Sequence, residues 1–171
     1  MNEEKSTMKD NIYLVIASII TVCSLAFGIT GYLNEYNALH AKEQIQIDEN
    51  GTYNSKNDMA SYVYKYNHLP SNYVTKGEAN LAGWQGMTVE SVLPGHAIGG
   101  DRFYIHYDKD ISGQIEQAPG RYYRECDVET IGQDERGAQR LLFSNDGLVY
   151  YTDDHYSSFT LLYGKEVLDI R

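Results

Sequence analysis

Residues 120–163 read GRYYRECDVETIGQDERGAQRLLFSNDGLVYYTDDHYSSFTLLY, and this stretch decides the fold class. Strand-like runs with a two-residue period occur at 121–128, 139–143, 148–152 and 158–162. Ser144-Asn145-Asp146-Gly147 joins two of them and carries the Asp-Gly pair of a tight hairpin turn. A further strand is expected at 101–105, directly after Gly99-Gly100. The count is five strands.

Upstream of Gly100 the period is helical. Met59, Tyr62, Val63 and Tyr66 recur at helix spacing, with Asn57 or Asp58 as the N-cap and Leu69-Pro70 as the stop. Thr75-Lys76-Gly77-Glu78 is a capping-box pattern, in which Thr75 caps and Glu78 reaches back. Ala79, Leu81 and Ala82 offer that second helix a short apolar face, and Gly83 can end it in the left-handed region. A third short helix is expected over 89–93, between Thr88 and Pro94-Gly95. Helices first and strands second predict an α+β domain, with N-terminal helices packed on one face of a five-stranded antiparallel sheet. The domain is placed at 57–163, with a C-terminal tail at 164–171.

The N-terminus reads differently. After a tail at 1–11, residues 12–33 (IYLVIASIITVCSLAFGITGYL) hold no charge and are long enough to span a bilayer. An uncleaved transmembrane anchor is favoured over a cleaved signal segment, whose apolar run is usually about 7–15 residues. Ala38 to Ala41 (ALHA) is the cleavage site that the second reading would use. Lys5 and Lys9 before the run and Lys42 after it bias the N-terminus slightly toward the cytoplasm. The folded domain is then extracellular or membrane-anchored facing outward, with the membrane as a partner through 12–33. Residues 34–56 are polar and lack a clear period, which reads as a tether.

Composition restricts the function classes. The chain has 14 Lys and Arg against 24 Asp and Glu, net −10, which argues against non-specific nucleic-acid binding over the whole surface. From Gly51 onward the balance is still 11 against 17, so any anion site must gather its cations locally. Sixteen tyrosines against four phenylalanines suggest core rings whose hydroxyls reach the surface. The two cysteines, Cys23 and Cys126, lie too far apart in context to suggest a disulfide framework.

Alternation through 121–128 puts Arg121, Tyr123, Glu125 and Asp127 on one face of a strand, and Tyr122, Arg124 and Cys126 on the other. Taken singly, Glu125 reads as part of a solvated strand face, Arg136 and Arg140 as surface ion-pair partners, and His155 as an incidental turn histidine. Asp153, Asp154 and His155 are adjacent on one turn and cannot easily converge on one ion, so the turn is not read as a metal site, and no cofactor is expected.

Taken together, the pieces resemble a known family. YNHLPSNYVTKGEANLAGW (66–84), LPGHAIGGDRF (93–103), GRYYRECDV (120–128) and RGAQRLLFSNDGLVYYTDDHYSSFT (136–160) are similar to the barnase-like microbial ribonucleases, which prefer guanine. The resemblance runs over 62–162 and leaves the N-terminal segment outside it. It implies Glu125 as general base and His155 as general acid, with Lys76, Arg136, Arg140 and Tyr156 around the phosphate. It also implies Asp101, Asp127 and Asp146 as structural partners of Lys76, Arg136 and Arg121.

The chemistry suits these residue types. A carboxylate can take the ribose 2′-OH proton, and an imidazolium can protonate the departing 5′-oxygen. Fixed cations stabilise charge gathering on the phosphoryl oxygens. The resemblance implies a metal-independent endoribonuclease acting on single-stranded RNA through a 2′,3′-cyclic phosphate, as a monomeric catalytic domain open to a barstar-like inhibitor protein. The chain departs from the family between Asp101 and Arg121, where it has several extra residues. In FYIHYDKDISG (103–113) the nearest equivalent of the family's guanine-binding pair is Tyr107-Asp108, so Phe103, Tyr107 and Asp108 are the base-binding candidates. The alternatives are a catalytically weak RNA- or protein-binding relative and a secreted toxin effector.

Overall fold

The computed structural model describes residues 28–33, 36, 42, 45–105 and 113–164, and the chain divides into two compact units, 1–41 and 42–171. In the first unit, residues 28–33 are helical with Ile29, Tyr32 and Leu33 exposed. The Tyr32 and Tyr36 rings stack at 6.5 Å. Most of the apolar 12–33 run lies outside the described residues, and among those described no helix is long and apolar enough to cross a membrane.

The second unit is α+β, built on a six-stranded mixed sheet. Its elements are α1 (Lys56–Tyr66), β1 (Tyr73–Val74), α2 (Lys76–Leu81), a 3-10 turn (Val89–Ser91), β2 (Ala97–Phe103), β3 (Tyr123–Asp127), β4 (Arg140–Ser144), β5 (Val149–Thr152) and β6 (Thr160–Tyr163). The strands lie in sequence order, β1-β2-β3-β4-β5-β6. Four antiparallel pairings link β2 to β6, as expected. The sixth strand corrects the five-stranded reading. β1 pairs parallel with β2, Tyr73 opposite Ala97 and Val74 opposite Ile98. Two residues are too few to show alternation, and only the crossover through α2 brings them alongside β2.

Local chemistry explains the helix ends. Ser55 caps α1, accepting a hydrogen bond from the Asp58 N–H at 3.2 Å, so the cap precedes the expected Asn57 or Asp58. Asn67, with φ 58°, closes the helix before Pro70 is reached. The capping box at Thr75 and Glu78 forms as read, but only Ala79 of the short α2 is buried. Leu81 is 91% exposed, because six residues make too little surface to turn a second apolar side chain inward. The third helix shortens to the 3-10 turn.

Strand β2 begins at Ala97, earlier than the expected 101–105, and the glycine pair lies inside it. A Cβ on Gly99 would come within 2.6 Å of the Cys126 Cβ and 2.7 Å of the Tyr73 ring. Gly100 has φ +96° where the β2–β3 register shifts. Together they allow close approach and then a bulge that re-aims the rest of the strand.

The two sheet faces carry separate cores. On one, Met59, Tyr62 and Val63 of α1 pack on Cys126, Val128, Leu141, Phe143 and Val149. On the other, Tyr123, Leu142 and Tyr150 pack with Ile115 and Leu148, flanked by Phe103, Tyr156 and Phe159. Burial pushes the Cys126 thiol well above its ordinary range, so it behaves as a small apolar side chain. Core-packed tyrosines do reach polar partners: the buried Tyr62 donates to the Glu49 carbonyl at 2.8 Å and the partly buried Tyr73 to the Asp127 carbonyl at 2.7 Å.

The tether reading of 34–56 does not describe residues 45–55, which are tied to the domain. Ile45 and Ile47 pack against the α1 core, and Tyr66 donates to the Ile47 carbonyl at 2.8 Å. The Asn54 side chain accepts from the N–H groups of Thr130 and Ile131 at 2.6 and 2.8 Å. Two isoleucines between polar residues carry no period, so only the docked state reveals them as core.

Candidate active site

Alternation along β3 turns Tyr123, Glu125 and Asp127 away from α1, while Cys126 faces it, as the sequence reading expects. Glu125 lies opposite Leu142 and is 8% exposed. A carboxylate this deep needs partners. One oxygen is ion-paired with Lys76 Nζ. The other accepts a 2.5 Å hydrogen bond from the Tyr156 hydroxyl.

Each partner is positioned by a local device. Lys76 is the first residue of α2, directly after the Thr75 cap. Its backbone N–H donates to Asp101 Oδ2 at 2.9 Å. Asp101 therefore holds Lys76 through the main chain and leaves its ammonium for Glu125. Tyr156 is wedged between Phe103, at 5.2 Å between ring centroids, and Phe159, at 6.4 Å. Burial, then the nearby charge of Glu125, push its phenol above the ordinary value, so it remains a donor.

One strand position further, Asp127 is 2% exposed and lies opposite Arg140 of β4. It accepts from Arg136 Nε at 2.5 Å and Nη2 at 2.8 Å, the two-pronged geometry that fixes a guanidinium plane. Arg140 Nε stands 2.8 Å from Asp127 Oδ1 but off the hydrogen-bond axis. Its Nη atoms donate to the carbonyls of Gln139 at 2.7 Å and Gly137 at 3.1 Å. Arg140 is itself 2% exposed, whereas Arg136 retains 21% side-chain exposure and lies 5.4 Å from the Trp84 ring. Asp127 thus holds both arginines, and Asp146 holds Arg121 with contacts of 2.7–3.0 Å.

His155 is exposed on the β5–β6 turn, its ring 4.9 Å from that of Tyr156. Both residues have positive φ, 56° and 72°. Two consecutive side-chain-bearing residues in that region are strained and persist only where the surroundings hold them. Asp154 does so: its carboxylate accepts from the N–H groups of Ser157 and Ser158 and from the Thr152 hydroxyl, all at 2.9 Å. The Tyr156 N–H closes the turn onto Thr152 Oγ1 at 3.1 Å.

The structure gathers Lys76, Glu125 and Tyr156 into one hydrogen-bonded group, with Phe103 and His155 against Tyr156. Arg136 and Arg140 are joined through Asp127, two residues along β3 from Glu125. Tyr107 and Asp108 lie outside the described residues. Sequence reasoning missed Asp154 as the staple of the turn and Trp84 beside Arg136. Asp154 had a signal, since an aspartate followed by Ser157-Ser158 is suited to an Asx turn. Trp84 had none.

Residues 33–163 match the ribonuclease family. The chain belongs to that family. It is 38% identical over 109 residues to a ribonuclease of Bacillus intermedius, covering 63% of this chain and 64% of the relative, a little under two thirds of that protein's length. It is also 38% identical over 108 residues to a ribonuclease of Heyndrickxia coagulans, covering 62% of this chain and 94% of the relative. A shorter stretch of 40 residues is 48% identical to guanyl-specific ribonuclease St of Saccharopolyspora erythraea, over 23% of this chain and 40% of the relative.

Proposed function

We propose that this member of the ribonuclease family is a metal-independent endoribonuclease that cleaves single-stranded RNA outside the cytoplasm. The observation that carries the reading is the buried Glu125 carboxylate, held between Lys76 and Tyr156 on the sheet face that also presents the cations of Asp127. Glu125 accepts the ribose 2′-OH proton as that oxygen attacks phosphorus. His155 protonates the departing 5′-oxygen, leaving a 2′,3′-cyclic phosphate that water opens with the two roles exchanged. Lys76 and Arg136 stabilise charge on the phosphoryl oxygens, backed by the buried Arg140. Acid, base and cations are all side chains of this chain, so the step calls for no metal.

The uncharged 12–33 run supports export or anchoring with the catalytic unit outward. The likeness to guanyl-specific ribonuclease St supports a guanine preference, with Phe103, Tyr107 and Asp108 as the proposed base-binding residues.

The test is digestion of a defined RNA in the presence of chelator, with 3′ ends mapped. Cyclic phosphate ends and a loss of at least a thousandfold in His155→Ala are expected. Full activity in that variant, or binding without cleavage by the parent, would sink the proposal. A flat rate profile in place of a bell from pH 5 to 8 would overturn the assigned acid–base pair.

A further inference from the structure

The sheet carries a second group of cations that the Glu125 site does not use. Arg102 of β2 and Arg124 of β3 are direct cross-strand partners, both exposed. Alternation puts them on the face opposite Phe103, Tyr123 and Glu125, beyond the end that α1 covers over Cys126. Like charges directly opposite each other destabilise a sheet. Among the described residues no carboxylate forms an ion pair with either one. This is notable in a chain with 24 acidic residues against 14 basic ones.

Tyrosine rings flank the arginines instead, and Arg124 Nη1 also donates to the Gly100 carbonyl. The Arg102 guanidinium lies 4.6 Å from the Tyr122 ring and 6.0 Å from that of Tyr104, and the Arg124 guanidinium lies 5.9 Å from Tyr122. The Tyr122 main chain is pinned to Asn145: its N–H donates to Asn145 Oδ1 at 2.9 Å and its carbonyl accepts from the Asn145 N–H at 3.1 Å. Tyr104 is 66% exposed. Beyond the last pair, Phe103 and Tyr123, the two strands part around a cleft of about 220 Å³ lined by Arg102, Tyr104, Gln117, Arg121 and Tyr122. Phe103 lines it too, and its ring lies 5.2 Å from that of Tyr156, so one side chain borders both the cleft and the candidate active site.

We propose that Arg102, Tyr104, Tyr122 and Arg124 form an auxiliary platform for single-stranded RNA, taking up nucleotides that extend past the cleavage site. Interleaved planar cations and aromatic rings suit this ligand. The guanidinium groups take phosphates while exposed ring faces stack bases of any identity. A bridging phosphate also relieves the Arg102–Arg124 repulsion. The platform rests on the ribonuclease reading and adds a preference for long substrates to it.

The test compares binding of a 2′-O-methyl RNA dodecamer, which lacks the attacking hydroxyl, by the full chain and by Arg102→Ala/Tyr104→Ala. The double variant is expected to bind at least tenfold more weakly. The slope of log affinity against log salt should fall by about 0.7 for the lost phosphate contact. Arg102→Lys keeps the charge but not the planar stack, so it should keep the slope and still bind severalfold more weakly. Unchanged affinity and slope in the double variant overturn the platform. Cleavage of unmodified RNA by the parent is scored separately: its absence overturns the ribonuclease reading, while the binding comparison stands or falls on its own.

Discussion

Tyr156 touches three parts of the candidate site at once: the carboxylate of Glu125, the ring of His155 and the aromatic wall of Phe103. Tyr156→Phe keeps the ring and removes only the donor. Hydrogen bonds to charged groups contribute about 1.5–3 kcal/mol, so kcat should fall roughly ten- to a hundredfold with KM near the parent value. Steady-state kinetics on a short RNA checks the split, and an effect confined to KM would place Tyr156 in binding instead. Asp127 differs in kind, because its loss strands Arg140 inside the protein. Asp127→Asn should lower unfolding free energy by about 3–5 kcal/mol, read from urea titration. A change under about 1 kcal/mol would mean that the carbonyl acceptors around Arg140 suffice without the carboxylate.

At the scale of elements, the β5–β6 turn and the start of α2 do the positioning. Asp154 is held at about 2, below its ordinary 3.8, first by hydrogen bonds from Ser158 and then by those from Thr152 and Ser157. A carboxyl depressed by folding stabilises the turn above its ordinary value and ceases to as pH falls through the folded one. Order in the turn should therefore be complete above about pH 4 and fade toward pH 2. Amide exchange at Ser157 and Ser158 measures this, and protection that is flat across that window would refute it. Thr75→Ala removes the cap of α2 at a cost of about 1 kcal/mol and loosens Lys76. KM for RNA should rise severalfold, and Thr75→Ser should restore it. The strand ladder from β2 to β6 and this capping box were legible in the sequence, because alternation and the Thr-x-x-Glu pattern are local. β1 and the true start of β2 were not, since parallel pairing and a glycine bulge depend on partners far along the chain.

Over the whole 42–171 unit, residues 45–55 act as a strap on the α1 core. A chain starting at Lys42 should match the full protein in domain stability. One starting at Asn57 loses Ile45, Ile47 and the Ser55 cap, and should be weaker by roughly 3 kcal/mol on the usual scale for apolar burial and capping. Equal melting temperatures for the two would return residues 45–55 to the role of tether. With net charge −10, the proposed attraction of RNA rests on local cations, so cleavage should slow steeply between about 50 and 200 mM salt. The sequence by itself determined the α+β class, the face that carries Glu125 and the cations available to it. These follow from a two-residue period, from residue types and from a family resemblance spread along the chain. Only the tertiary structure decided that Glu125 is shared by Lys76 and Tyr156, that Asp127 holds two arginines, and that Arg102 and Arg124 face each other with no ion-pairing carboxylate among the described residues. Those are relations between strands and loops brought together in space, and one-dimensional spacing carries no record of distance across a sheet.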